Sequence, residues 1–183
     1  TYAQDFSVKA LPSVKRLYRH RLTDDLPDIT AGRVAVFVGA HSRWSKELTQ
    51  AVDAFCERYN AVVFVDRSSN YNGKYGFLYN LVSDQKLYHS PVMNVDLAID
   101  IGNLSGAYGC LHPTAVWRVH PDGVLRDRFH HLVRVFEMDE VNFFEAYSRK
   151  KSDKRNLEYY QACCDENEVI LKQMPDVPFS NVW

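Results

Sequence analysis

Continuous apolar runs alternate with helix-spaced apolar stripes along most of this chain. Val34-Ala-Val-Phe-Val38 ends in Gly39, Ala61-Val-Val-Phe-Val65 ends in Asp66, and Val95 to Ile101 ends in Gly102. Ala115-Val-Trp-Arg-Val119 leads into a turn at His120-Pro-Asp-Gly123, and Leu132 to Phe136 forms a further run. Runs that stay apolar at consecutive positions mark strands covered on both faces, the habit of a parallel sheet. Between them, Leu48, Val52, Phe55 and Tyr59 recur at helical spacing behind Ser45, a residue suited to capping a helix. Asp139 stands in the same position before a helix from Glu140 to about Arg149 that would bury Val141, Phe144 and Tyr147. A further helical segment is expected over Leu78 to Leu87. Another is expected within the charged stretch Ser152 to Gln173, where Leu157, Tyr160, Cys164 and Leu171 supply the apolar positions.

This alternation predicts an α/β fold, a Rossmann-like parallel sheet of five or six strands with helices on both faces. Ligands of such sheets sit outside the carboxyl ends of the strands, so chemistry is to be sought in the loops there. Residues 1–32, with Pro12 and Pro27 and little periodicity, read as a linker with one short helix near Val14 to Arg19. Residues 33–150 form the α/β domain, and residues 151–183 a helical linker. The chain stops on the apolar phrase Pro178-Phe-Ser-Asn-Val-Trp183. It is expected to be a segment of a longer protein in which Phe179, Val182 and Trp183 pack on other domains.

A net charge of -1 without a long basic run argues against a nucleic-acid partner. No apolar segment is long enough to span a membrane, which leads to the expectation of a cytoplasmic protein. The four cysteines, Cys56, Cys110, Cys163 and Cys164, form no CxxC pair and are expected as reduced thiols. His112, His120 and His130-His131 lack the spacing of a metal site, so no metal ligand is expected.

Three loops carry candidate site residues. Asp66, Arg67 and Ser69 follow a strand end and would meet a ligand, or else bond within the loop. Lys74, beside Tyr75 behind a glycine turn, would reach an anionic substrate or remain a solvated cation. Ser105, Gly106 and Tyr108 combine a donor with a position that lets a ligand approach the backbone closely. Gly39-Ala-His41-Ser42-Arg43 opens a strand-to-helix turn whose amides favour anions, but it lacks the GxGxxG fingerprint of a dinucleotide site. No residue presents itself as a general acid or base.

The order of these motifs resembles a known domain. A strand ending in glycine, a helix, a strand ending in Asp66-x-Ser68, then Val95-Asp-Leu-Ala-Ile-Asp-Ile-Gly102 and Trp117-Arg-Val-x-x-Asp-Gly123 is similar to the middle domain of thiamine-diphosphate-dependent enzymes. Within that group it most resembles the 2-succinyl-5-enolpyruvyl-6-hydroxy-3-cyclohexene-1-carboxylate synthases of the menaquinone pathway and their relatives, over roughly residues 30 to 183. The resemblance implies a parent transferase or lyase that decarboxylates 2-oxo acids. Its pyrimidine-binding and pyrophosphate-binding domains would hold thiamine diphosphate and Mg²⁺ outside this segment. Pro178-Phe-Ser180 would open the pyrophosphate-binding domain. The middle domain itself would be non-catalytic, would shape a homo-oligomer and would line the substrate channel. FAD is held by this domain in some relatives. The menaquinone synthases carry a Lys-Arg pair where this chain has Ala107 and Tyr108, so the resemblance implies a different acceptor. The alternatives from the residues themselves are a free-standing Rossmann-like module for a nucleotide or FAD, and a scaffold without a small ligand.

Overall fold

A computed structural model describes residues 16–41, 43–78, 89–103, 111–150 and 158–173. Its strands are β1 (Tyr18–Arg21), β2 (Val34–Val38), β3 (Val62–Val65), β4 (Gly76–Leu78), β5 (Asn94–Ile101), β6 (His112–Val119) and β7 (Leu132–Glu137). Its helices are α1 (Lys46–Tyr59), α2 (Glu140–Arg149) and α3 (Glu158–Gln173), with a short 3-10 turn at Pro91–Met93 before β5. All seven strands form one parallel sheet in the order β1-β7-β6-β5-β2-β3-β4. The count exceeds the expected five or six because each edge carries a short strand that periodicity does not mark. The helix expected near Val14 to Arg19 gives way, over its described part, to the strand Tyr18–Arg21. Arg19 there pairs with Glu137 of β7 at 2.9 Å, and Arg134 of β7 donates to His20 at 2.9 Å. The helix expected over Leu78 to Leu87 lies outside the described residues beyond Leu78, which itself ends β4.

Every residue of β2 and β3 is buried, as their unbroken apolar runs require. On one face Val34, Val36 and Val38 pack with Ile99 and Ile101 under α1 and α2. On the other, Ala35, Phe37 and Phe64 pack with Tyr159 and Cys163 of α3, and the Tyr159 hydroxyl donates to the Val92 carbonyl at 2.8 Å. Ser45 caps α1 as expected, its hydroxyl accepting the Leu48 amide at 3.1 Å, and Asn60 ends the helix in the left-handed conformation with φ 51°. Between α1 and α2 the stripes interlock as aromatics: Phe55 meets Phe144 edge-on at 5.2 Å, and Tyr59 donates to the Tyr147 carbonyl at 3.1 Å.

The chain runs outward from β2 through β3 to β4, then returns to place β5 against the other side of β2. The strand order reverses between β2 and β5, which makes their carboxyl ends the switch point of the sheet. There the two backbones touch. Ala40 and Asn103 exchange hydrogen bonds of 3.0 and 2.8 Å in an antiparallel bridge, and Gly39 donates to Ile101 at 3.0 Å. Gly102 turns the chain with φ 74°. A Cβ on Gly39 would lie 1.8 Å from the Asn103 carbonyl oxygen, far inside contact distance.

Gly39→Ala should therefore destabilise the protein by about 3 kcal/mol in urea unfolding, since backbone rather than a movable side chain must yield. Gly32→Ala, whose Cβ would meet only the Asp96 carboxylate at 3.3 Å, should cost less than about 1 kcal/mol. Equal effects of the two substitutions would refute the close approach.

Candidate functional site

An open cavity of about 460 Å³ lies at the switch point, on the face covered by α1 and α2. It is walled by His41 after β2, Gly102 and Asn103 after β5, His120 after β6, and the first residues of α1 and α2. Two helix amino termini therefore converge on it and make it favourable to negative charge.

Glu140, the first residue of α2, organises this cavity. One carboxylate oxygen lies 2.8 Å from Nε2 of His41, and the other accepts the Gly102 amide at 3.1 Å. A single side chain thus ties the ends of β2 and β5 to the start of α2, where the helix dipole offsets its charge. His41 is fixed from its other side as well. Its amide donates to the Ser68 carbonyl at 3.0 Å, its carbonyl accepts Asn70 at 2.6 Å, and its ring meets Trp44 edge-on at 4.8 Å. The hydrogen bond to Glu140 raises the His41 pKa above 6.5 against the opposing effect of burial. The pair can hold a proton between Nε2 of His41 and the Glu140 carboxylate, in the wall of the cavity.

Of the residues singled out from sequence, His41 and Arg43 line this cavity, whereas Asp66, Arg67, Ser69 and Lys74 fall beside it. Ser69 is fully buried, donates to the Val38 carbonyl at 2.7 Å and accepts the Asp66 amide at 3.0 Å. Asp66 accepts the Ser68 amide and hydroxyl at 2.7 and 2.6 Å. These bonds lock the loop after β3 onto the end of β2, where it positions His41. Arg67 is exposed at the same turn. Lys74 is exposed too; its amide points at the Asp53 carboxylate at 3.3 Å, which also accepts the Tyr71 hydroxyl at 2.5 Å. Ser105, Gly106 and Tyr108, with the neighbouring Ala107, lie outside the described residues, as do Phe179, Val182 and Trp183.

Sequence reasoning passed over a second feature, on the opposite face of the sheet. Asp100 of β5, Arg118 of β6 and Arg128 of the β6–β7 loop form a buried ionic cluster, with side chains 0%, 0% and 5% exposed. Arg128 lies 3.2 Å and Arg118 3.6 Å from the Asp100 carboxylate. Burial pushes Asp100 up to about 6 despite both cations. The signal was present in the sequence: a charge inside each of two strand runs, which a buried strand tolerates only when it is paired. Among the described residues no three His, Cys, Asp or Glu side chains gather as a metal site, and no helix is long and apolar enough to cross a membrane. Cys56, Cys163 and Cys164 are free thiols.

The His41–Glu140 pair has a pH signature. Folding raises the His41 pKa, so its stabilisation is complete below about 6.5 and fades as pH rises through the folded value. Glu140→Gln keeps an acceptor for Gly102 and removes the charge. It should cost about 1.5–3 kcal/mol near pH 6, the worth of a hydrogen bond to a charged group, and less once the pH has risen past the folded His41 value. In the variant the His41 titration followed by NMR should move down. A wild-type His41 titrating below 6.5 would contradict the pairing.

Neither models of known protein families nor curated proteins match this sequence, so the reading of the site rests on its residues and geometry.

Proposed function

We propose that this chain is the central, non-catalytic domain of a thiamine-diphosphate-dependent enzyme that decarboxylates 2-oxo acids. Its role in that reading is to join the pyrimidine-binding and pyrophosphate-binding domains, to shape a cytoplasmic homo-oligomer and to present polar loops to the substrate channel. The motif order described above motivates the reading, and the strand order supports it. Setting β1 aside, β4-β3-β2-β5-β6-β7 is the doubly wound order 3-2-1-4-5-6, the arrangement of a Rossmann-like domain.

The observation that carries the choice over a free-standing nucleotide module is the state of the switch point. A dinucleotide or flavin pyrophosphate is held by free amides at the turn from the first strand into its helix. Here the Gly39 and Ala40 amides donate to Ile101 and Asn103, the His41 amide to Ser68, and the Leu48 amide to Ser45. These four amides are taken by three of the protein's own carbonyls and the Ser45 hydroxyl, which suits a domain that braces its neighbours. The cavity at His41 and Glu140 then belongs to the channel, where a half-buried proton-holding pair would orient a carboxylate-bearing substrate. Thiamine diphosphate would supply the carbanion chemistry from outside this segment.

The protein translated from the whole reading frame that encodes this chain should bind thiamine diphosphate in the presence of Mg²⁺ and release CO₂ from a 2-oxo acid. Residues 1–183 alone should give no saturable calorimetric signal with thiamine diphosphate, FAD or NAD. Tight binding of FAD or NAD to the isolated chain would favour the nucleotide module instead. A reading frame that adds no thiamine-binding domain would overturn the proposal.

A further inference from the structure

The cluster at Asp100 holds more donors than it satisfies. Nη1 and Nη2 of Arg118, and Nε and Nη1 of Arg128, are buried and find no hydrogen-bond partner among the described residues. Neither Asp100 oxygen makes a well-formed hydrogen bond, although ion-pair distances of 3.2 and 3.6 Å hold it near both guanidinium groups. Two permanent cations thus face one carboxylate. Asp122 reaches Arg118 only at 3.8 Å, is partly exposed, and is shared with His120 at 2.9 Å and Arg126 at 3.4 Å. A surplus positive charge in a desolvated place is costly unless an anion balances it.

The arginines are also held in place. The Arg128 guanidinium lies over the Phe37 ring at 5.3 Å, and its Nη1 would stand 3.2 Å from a Cβ on Gly39. Its Nη2 reaches the Asn103 carbonyl at 3.4 Å. Nε of Arg118 donates to the Val124 carbonyl at 3.2 Å. Each guanidinium is therefore anchored through one edge; Nε and Nη1 of Arg128 keep no hydrogen-bond partner, and the two Nη atoms of Arg118 meet carboxylates only at 3.6 and 3.8 Å, beyond hydrogen-bond distance. Planar guanidinium forks of this kind match the paired oxygens of a carboxylate or a phosphate. The cluster lies at the carboxyl end of β5 and β6, where parallel sheets receive ligands. The β6–β7 loop that carries Arg128 exposes Val124 and Leu125.

We propose that Arg118 and Arg128 form a receptor for one small oxyanion, a carboxylate or phosphate group, on the face of the sheet opposite the His41 cavity. The oxyanion accepts from the unused N–H groups of both arginines and balances the charge that Asp100 leaves uncompensated. The site is independent of the thiamine-enzyme reading, because it needs only the residues of this chain.

The test titrates the 183-residue chain with inorganic phosphate and, separately, with acetate, each against sodium chloride at matched ionic strength. Saturable binding by calorimetry is expected for at least one of the two, and the stronger arm identifies the oxyanion class. In the wild-type protein the Nε–H resonance of Arg128 should shift along the same binding curve. Arg128→Gln, whose loss leaves Arg118 and Asp100 paired, should weaken binding at least tenfold. An Nε–H resonance unmoved by both oxyanions, or moved equally by chloride, overturns the proposal without recourse to any variant. So does a folded Arg128→Gln protein that binds as the wild type does.

Discussion

The carboxyl ends of β2 and β5 meet backbone to backbone, and much of the molecule's function-bearing geometry follows from that contact. Gly39 has no side chain because the Asn103 carbonyl occupies the space where one would stand. Gly102 turns away in a conformation that few other residues adopt. Once the two strand ends are bridged, the loop after β3 has a fixed rim to fasten to, through Ser69, and Glu140 has two partners within reach of one carboxylate. The switch point, where sheets of this order receive ligands, here serves as a joint as well.

The two faces of the sheet use that joint differently. On the α1 and α2 side, a carboxylate at a helix amino terminus meets a histidine in a half-open cavity, where water and the helix dipole ease the burden of charge. On the α3 side, the Asp100, Arg118 and Arg128 side chains are almost wholly shut off from solvent, and their charges must be met by one another and by what they bind. Strand alternation makes this division. Ile99 and Ile101 point to one side and Asp100, between them, to the other. Arg128 bridges the two sites structurally, since it touches both the Asp100 carboxylate and the Asn103 carbonyl.

The central strands and the helices α1 and α2 were legible in the sequence because their burial is two-sided or striped, and such burial forces a periodic apolar pattern. The edge strands were not. Tyr18-Arg-His-Arg21 is mostly exposed and β4 is three residues long, so neither needs an apolar run; pairing with an existing edge makes them strands. The candidate site was legible by position only. The carboxyl ends of β2, β3 and β5 were marked by Gly39, Asp66 and Gly102, but the partners were not, since Glu140 lies 99 residues from His41. Ser69 drew attention as a ligand donor, whereas its hydroxyl fastens one loop to one strand. Arg118 and Asp100 were visible as charges within apolar runs, but the third member, Arg128, came from a loop without periodicity.

The outermost strand has a consequence for the order of assembly. Tyr18 pairs with Arg134, 116 residues further along the chain, so β1 cannot find its place until nearly the whole sheet has been synthesised. At roughly 5–20 residues per second, this segment emerges from a ribosome about 6–23 seconds before its neighbour. Its arginines, Arg19 and Arg21, then have a task before they have a partner. Repulsion between like charges keeps an unclaimed strand from joining the same segment on a neighbouring nascent chain. When β7 arrives, Glu137 accepts Arg19, and the charges that had kept the strand solitary fasten it to its own sheet.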